Sequence, residues 1–104
     1  MDIIKNLESL LGKEQDNALI RYSLGNEYLR TKKFAEASKH LHRAIELDPG
    51  YSAAWKLYGK ALTGNNRIND AIKAYEKGIL VAEKKGDIQA AKEMKVFLKR
   101  LKKS

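Results

Sequence analysis

The sequence contains an internal repeat with a regular period. A shift by 34 positions lays residues 18–51 on residues 52–85 and aligns four identical pairs: Gly25 with Gly59, Ala37 with Ala71, Lys39 with Lys73, and Ile45 with Ile79. Other aligned positions keep the size and polarity of the side chain, as for Leu24 and Tyr58 or Phe34 and Ile68. A period of this length is typical of proteins built from stacked structural repeats, in which each unit packs mainly on its neighbours. We therefore expect a stack of similar units.

Small residues recur at two of the aligned positions, Gly25/Gly59 and Ala37/Ala71. Two neighbouring helices approach closely only where neither presents a bulky side chain, and larger residues around the contact then fill the remaining space. The pattern predicts a close contact between the two helices of each repeat at these positions.

Apolar residues are spaced three and four apart along most of the chain, which is the spacing of one face of an α-helix, and no segment carries a strand signal. Residues typical of helix ends and turns separate six such segments. The predicted helices cover residues 2–11, 17 to about 31, 34–47, 52–62, 70–84 and 87–102. The predicted end signals are Gly12, Asp48-Pro49-Gly50 and Gly86 at C-termini, and Asp16 or Asn17, Ser52, Asn69 and Asp87 at N-termini.

With these residues in place, the sequence resembles the tetratricopeptide repeat, whose pattern is W-x-x-L-G-x-x-Y, then A-x-x-x-F, then P. The first copy reads Arg21-x-x-Leu24-Gly25-x-x-Tyr28, Ala37-x-x-x-Leu41 and Pro49. The second reads Trp55-x-x-Tyr58-Gly59-x-x-Leu62, Ala71-x-x-x-Tyr75, with Glu83 where proline would fall. Arg21 in place of the aromatic suggests that the N-terminal helix covers this position differently. The missing proline lets the fourth long helix run on.

The resemblance implies an all-α fold, a right-handed superhelical stack of antiparallel helix pairs with about six helices. It also implies one domain over residues 1–104, similar to small stand-alone bacterial proteins of two repeats and their caps. The expected division is an N-terminal capping helix over 2–12, repeats over 18–51 and 52–85, and a C-terminal capping helix over 87–102. Repeat stacks need such polar caps at their ends.

The net charge of +8 lies entirely in the second half of the chain. Residues 1–52 carry eight Lys/Arg and eight Asp/Glu, whereas residues 53–104 carry thirteen and five. A positive field of this kind favours an acidic partner.

The chain has no cysteine, which excludes disulfides and thiolate metal sites. No apolar run is long enough for a membrane span, and the start Met1-Asp2-Ile3 lacks a secretory pattern, so we expect a cytoplasmic protein.

No residue pattern indicates catalysis, a metal or a cofactor. His40 and His42 are two positions apart, about 200° around a helix, so they cannot chelate one metal, and we interpret both as solvated surface residues. The glycines are scattered and do not form a phosphate-binding loop. The carboxylates alternate with lysines at the spacing of solvated helix faces. We therefore expect a protein that is not an enzyme.

The resemblance implies a protein-binding module whose groove is lined by the first helix of each repeat. The positions that would line it are Leu19, Tyr22, Asn26 and Arg30, then Ala53, Lys56, Lys60 and Thr63, and on the last helix Lys92, Lys95 and Lys99. Such a surface is basic, so the expected ligand is an extended, acidic segment of a partner protein. The family's carboxylate clamp has Lys and Asn on the first repeat and Asn on the second, at positions 22, 26 and 57 of this chain. Only Asn26 matches, since Tyr22 and Leu57 occupy the other two positions.

Two alternatives remain open from the sequence. The open ends of a short stack favour self-association into a homodimer, with Val96, Phe97 and Leu101 covering a second copy. Residues 84–104 carry eight Lys/Arg and two acids, which is compatible with binding to nucleic acid or to another anionic surface. Phe97 is the only aromatic residue there, however, and single-strand binding needs several.

Overall fold

A computed structural model describes residues 2–13 and 16–103 and contains six α-helices and no strand in those ranges. The helices are α1 (Ile3–Lys13), α2 (Ala18–Arg30), α3 (Phe34–Leu47), α4 (Ser52–Gly64), α5 (Ile68–Lys85) and α6 (Ile88–Lys103). Short turns join α2 to α3 and α4 to α5, so each pair is an antiparallel hairpin. The all-α, right-handed stack of helix pairs is therefore confirmed.

The repeat period is present in the helix boundaries themselves. The start and the end of α4 lie 34 positions after those of α2, and α5 begins 34 positions after α3. The turn within each hairpin contains one residue with positive φ, Lys32 and Asn66, both at 61° and again 34 positions apart. The backbone thus repeats more faithfully than the side chains do.

A glycine on the first helix of each hairpin contacts a large residue on the second. A Cβ atom added to Gly25 would overlap the side chain of Leu41, and one added to Gly59 would overlap the ring of Tyr75. Both large residues are buried, as are Ala37 and Ala71. The predicted close contact between the helices of each repeat is confirmed.

The two hairpins differ in the length of the second helix. α3 has 14 residues and ends before Pro49, whereas α5 has 18 residues and ends before Gly86, which is in the left-handed conformation with φ of 80°. Proline disfavours helical geometry in the residue before it, and Glu83 has no such effect. The prediction that this helix, now α5, continues past the position of the missing proline is confirmed.

Two of the predicted N-caps are confirmed. The Asn17 side chain accepts a hydrogen bond from the Ile20 amide at 2.8 Å, and Asp87 accepts one from the Ala90 amide at 3.2 Å. Glu14 and Gln15, which lie between the first two predicted helices, are outside the described residues.

Three other predicted end signals are wrong, because the helices extend past them. Gly12 lies inside α1, Ser52 is the first residue of α4, and Asn69 is the second residue of α5. The first helical hydrogen bonds of α4 and α5 run from Trp55 and Ala71 to residues one position before each helix. The hydroxyl of Ser52 donates instead to the carboxylate of Asp87, at 2.5 Å.

The end helices cover the two hairpins. α1 packs on α2, and α6 packs on α5 and α4 through its buried residues Ala90, Ala91 and Met94. Two ion pairs also join α6 to α5, Lys95 with Glu83 and Lys102 with Glu76. None of the described helices is long and apolar enough to cross a membrane.

The glycine contact predicts opposite effects for two Gly→Ala substitutions. Gly59→Ala should lower the free energy of unfolding by about 1 to 3 kcal/mol, because the added methyl group overlaps the Tyr75 ring. Gly12→Ala is the control: nothing lies within 4 Å of an added Cβ, so the better helix former should stabilise the chain by about 0.5 kcal/mol. Urea unfolding measures both values, and equal effects of the two substitutions would contradict the packing argument.

Candidate functional site

The first helix of each hairpin, together with α6, forms one surface of the stack. On α4, the residues Ala54, Leu57 and Ala61 are buried, whereas Lys60 is exposed on a neighbouring arc of the helix that also carries Lys56 and Thr63. Tyr22, Asn26 and Arg30 occupy the corresponding arc of α2. We call the following residues the groove face: Tyr22, Asn26, Arg30, Lys56, Lys60, Thr63, Lys92 and Lys99.

Tyr22 is fixed as a flat apolar platform. Its ring stacks on that of Tyr51, with centroids 4.8 Å apart and planes 24° apart. It also packs against two groups of buried residues, one of which contains Leu41 and Leu57. Stacked rings of this kind lose little conformational freedom when a ligand binds.

Asn26 and Arg30 lie further along α2 and are both exposed. The Asn26 side chain makes no hydrogen bond to any described residue, so its amide can both donate to and accept from a peptide backbone. Arg30 forms an ion pair with Glu27 at 3.0 Å, one turn earlier on the same helix. An incoming carboxylate would therefore compete with Glu27 for Arg30.

Lys56 joins α4 to α6. Its ammonium donates to the Glu93 carboxylate at 3.2 Å, and this contact is the main reason that the pKa of Glu93 is held below its usual range. The positive charge of Lys56 is thus already balanced within the chain. Sequence patterns on α4 alone gave no sign of this, because the partner lies on another helix, far along the chain.

Lys60 lies at the mouth of a small pocket between α4 and α6. Its ammonium is 5.0 Å from the centre of the Phe97 ring and makes no ion pair with any described residue. The pocket has a volume of about 240 Å³. Its lining residues are Lys60, Thr63, Tyr75, Phe97, Arg100 and Leu101. An apolar floor with cations at the rim suits a side chain whose neighbours in the ligand are acidic.

Tyr75 and Thr63 contribute the two hydroxyl groups of this pocket. Burial raises the pKa of Tyr75 to about 12, so its hydroxyl stays protonated at neutral pH. The Thr63 hydroxyl donates to the Gly59 carbonyl at 2.8 Å. Glu93, Phe97 and Arg100 are spaced four and three apart, which places them on the side of α6 nearest α4. This spacing was not used to predict the site from the sequence, so the pocket was missed.

The structure does not bring Lys95 to the groove face. Glu93 contacts α4, and Lys95 is two positions away, about 200° around the helix, where it pairs with Glu83 of α5 at 2.9 Å. Lys92 and Lys99 are exposed and form no ion pair within the described residues. They lie on the outward arc of α6, between the Lys95 side and the Glu93 side of the helix.

Arg21, at the position of the expected aromatic, is the centre of a polar cluster on the other side of α2. The Asp16 carboxylate accepts from Arg21 at 2.7 Å and from Arg43 at 2.9 Å, and these contacts lower the pKa of Asp16 to about 2. Arg21 also lies 3.0 Å from a ring nitrogen of His40. The side chain at this position is therefore held by Asp16, which precedes α2.

The interpretation of His40 as a solvated residue is wrong. Its ring is partly buried and stacks on Tyr28, with centroids 5.5 Å apart and planes 5° apart, and burial is the main cause of its lowered pKa. His42 is exposed, as expected, at 3.8 Å from Glu46. No group of three or more potential ligand residues that could hold a metal occurs in ranges 2–13 and 16–103.

The Asp16 cluster predicts a pH-dependent contribution to stability. Because the folded chain lowers the pKa of Asp16 from 3.8 to about 2, its ion pairs stabilise the fold above pH 4 and are lost as the pH falls from 4 towards 2. Asp16→Asn should lower the free energy of unfolding by about 1 kcal/mol at pH 7 and leave it almost unchanged at pH 2.

Asp70→Asn is the matched control. Asp70 pairs with Arg67 and both side chains are more exposed, so this substitution should lower the free energy of unfolding by less. Urea unfolding at several pH values measures both. A loss for Asp16→Asn that stays constant from pH 7 to pH 2 would contradict the assignment.

These features define a helical-repeat protein built from two similar hairpins and a covering helix at each end. A tetratricopeptide-repeat profile matches residues 28–94. The chain is also 46% identical over 99 residues to the TPR repeat-containing protein PA0015 of Pseudomonas aeruginosa, covering 95% of this chain and 94% of that protein. The chain belongs to the tetratricopeptide repeat family.

Two solved structures illustrate the likeness. The solution structure of protein BPP2914 from Bordetella parapertussis has a TM-score of 0.87 at 41% identity, covering 99% of this chain and 90% of that one. The second TPR domain of human RPAP3, solved in complex with the HSP70 peptide SGPTIEEVD, has a TM-score of 0.73 at 28% identity, with coverage of 88% and 78%.

Proposed function

We propose that the protein is a non-catalytic cytoplasmic adaptor whose groove face binds an extended, acidic segment of a partner protein. Proteins of this family commonly act as interaction modules. The observation that carries the finer proposal is the arrangement of Asn26, Tyr22 and Lys60 on one surface. It combines an amide without an internal hydrogen bond, a fixed aromatic platform and a cation without an ion-pair partner among the described residues.

Each group has a separate task in this proposal. Asn26 donates to a backbone carbonyl and accepts from a backbone amide, which holds the segment extended whatever its side chains. Tyr22 supports an apolar side chain. Lys60 pairs with a carboxylate while the adjacent pocket, with its Phe97 wall, takes an apolar side chain of the ligand. Lys92 and Lys99 add a positive field that speeds association.

The proposed mode differs from the carboxylate clamp of the family. Tyr22 and Leu57 replace two of the residues that the clamp requires, and Leu57 is 7% exposed because it packs into the core. The HSP70 peptide in the RPAP3 complex belongs to that protein. We propose that the ligand here is acidic along its length rather than only at a terminal carboxylate.

Self-association is the second candidate, and a specific observation favours it. Leu19 is 64% exposed and Ile88 is 66% exposed, so both α2 and α6 leave apolar side chains in solvent. Of the residues expected to cover a second copy, however, Phe97 and Leu101 pack inside the chain, and only Val96 remains exposed. Nucleic acid is a weaker candidate for the same reason, because Phe97 packs against Tyr75.

Affinity purification and mass spectrometry would supply partner segments, and calorimetric titration would then test the groove face. Asn26→Ala with Lys60→Glu should weaken binding of an acidic partner peptide by about tenfold or more, because the hydrogen bonds of Asn26 to the peptide backbone and the positive charge of Lys60 are lost together. Raising the salt concentration should reduce the affinity of the unchanged chain.

Asn6→Ala with Lys39→Glu makes the same chemical changes on exposed positions of α1 and α3, outside the groove face, and should leave the affinity within about twofold. Equal losses in both double variants would show that binding depends on net charge alone. Unchanged affinity after Asn26→Ala with Lys60→Glu would contradict the groove proposal.

A further inference from the structure

A second cleft lies away from the groove face, between the last turns of α5 and the turn that joins α3 to α4. Its volume is about 440 Å³. Pro49 and Gly50 form one wall, and the side chains of Leu80, Val81 and the lysines of α5 form the other. Leu80 is two positions from Gly78, which contacts Met94 and Trp55, so it lies on the outer side of α5.

The extra turn of α5 forms one end of this cleft. α3 ends at Leu47, and the corresponding helix end in the second repeat would lie near residue 81, but α5 continues to Lys85. Lys84 and Lys85 therefore belong to a turn that the first repeat lacks. The Lys85 ammonium donates to the Gly50 carbonyl at 2.9 Å, which holds the extra turn against the α3–α4 connection.

Two lysines of the cleft have no ion-pair partner among the described residues, although the Asp48 carboxylate lies beside Gly50 in the opposite wall. Lys77 and Lys84 are seven positions apart on one side of α5, and neither forms an ion pair in the part of the chain that the structure describes. The acidic residues of this segment, Glu76 and Glu83, pair with lysines of α6 instead. Lys73 lies four positions before Lys77, a like-charge spacing that destabilises a helix.

The apolar part of the cleft lies between these two lysines. Leu80 is three positions after Lys77 and four before Lys84, and it is 63% exposed. A single exposed leucine is ordinary on a protein surface. Here it borders a recess that Val81 and Pro49 also line, so an apolar group entering the recess would be covered on several sides.

We propose that this cleft is a second binding site, which takes an acidic protein segment through one apolar side chain and at least two carboxylates. The apolar side chain lies between Leu80 and Pro49, and the carboxylates pair with Lys77 and Lys84. The recess distinguishes this ligand from a membrane surface, which is flat on the scale of the cleft. The absence of any aromatic or arginine residue from the cleft lining disfavours nucleic acid. The protein can then hold two acidic segments at once, one on each side.

Nuclear magnetic resonance titration of the full, ¹⁵N-labelled chain tests this site separately from the groove face. The probes are two synthetic peptides of glutamate residues, one with a central leucine and one with a central serine. The leucine peptide should shift the amide signals of Gly50, Leu80, Val81 and Lys84 at lower concentration than the serine peptide. Leu80→Ser should remove this difference between the peptides.

Charge reversal gives the matched comparison. Lys77→Glu with Lys84→Glu should weaken the affinity for the leucine peptide, measured at the amide signals of the cleft, by about tenfold. Lys92→Glu with Lys99→Glu changes the net charge by the same amount and should leave that affinity within about twofold. The substituted side chains are exposed, and circular dichroism checks that each variant is folded.

Three results would overturn the proposal. The first is that shifts occur only at groove-face signals such as Asn26 and Lys60. The second is that both lysine variants weaken cleft binding equally. The third is that duplex DNA or phosphatidylserine vesicles shift the cleft signals while neither peptide does.

Discussion

The contact between a glycine on one helix and a large side chain on the next determines how each hairpin closes. Gly59 lies directly against the Tyr75 ring, and Gly25 lies against Leu41 in the same way one repeat earlier. Because the glycine has no side chain, the helix axes can approach until the ring fills the space between them. Each hairpin then presents a defined surface to its neighbour, and stacking of such units buries a continuous core.

Tyr75 connects this contact to the candidate site. The same ring packs under Gly59, lies 5.8 Å from Phe97 and forms part of the pocket beside Lys60. The position of α6 against α4 therefore depends on the core of the second hairpin. The ion pair of Lys56 with Glu93 and the hydrogen bond of Ser52 with Asp87 add polar links between the same two helices. The fold thus holds in place several side chains of the proposed binding surface.

The sequence predicted the regular part of the structure well, because that part depends on local spacing. The period, the helix count, the glycine contact and the continuation of α5 past Glu83 all follow from residues that are near one another or one period apart. The N-caps were predicted at Ser52 and Asn69, one and two positions too late, because neither helix has a side-chain cap that would mark its start.

The errors at the polar residues have a different physical origin. His40 is stacked and partly buried because Tyr28 and Arg21 approach it from another helix, and Lys95 is drawn to Glu83 on α5. Such partners are chosen by the packing of whole helices, which a single sequence does not display. The pocket of Lys60 and Phe97 and the cleft beside Leu80 were missed for the same reason. Both form between segments that are far apart in the sequence.

The central claim is that position 59 must be glycine because the Tyr75 ring occupies the space that a side chain would need. A double-mutant cycle on Gly59 and Tyr75 tests this claim most directly. Urea unfolding of the four chains in sodium sulfate, which strengthens apolar burial, gives the free energies. Our account predicts that Gly59→Ala destabilises the chain that contains Tyr75 and becomes neutral or stabilising when Tyr75→Ala has removed the ring. The same loss in both backgrounds would contradict it.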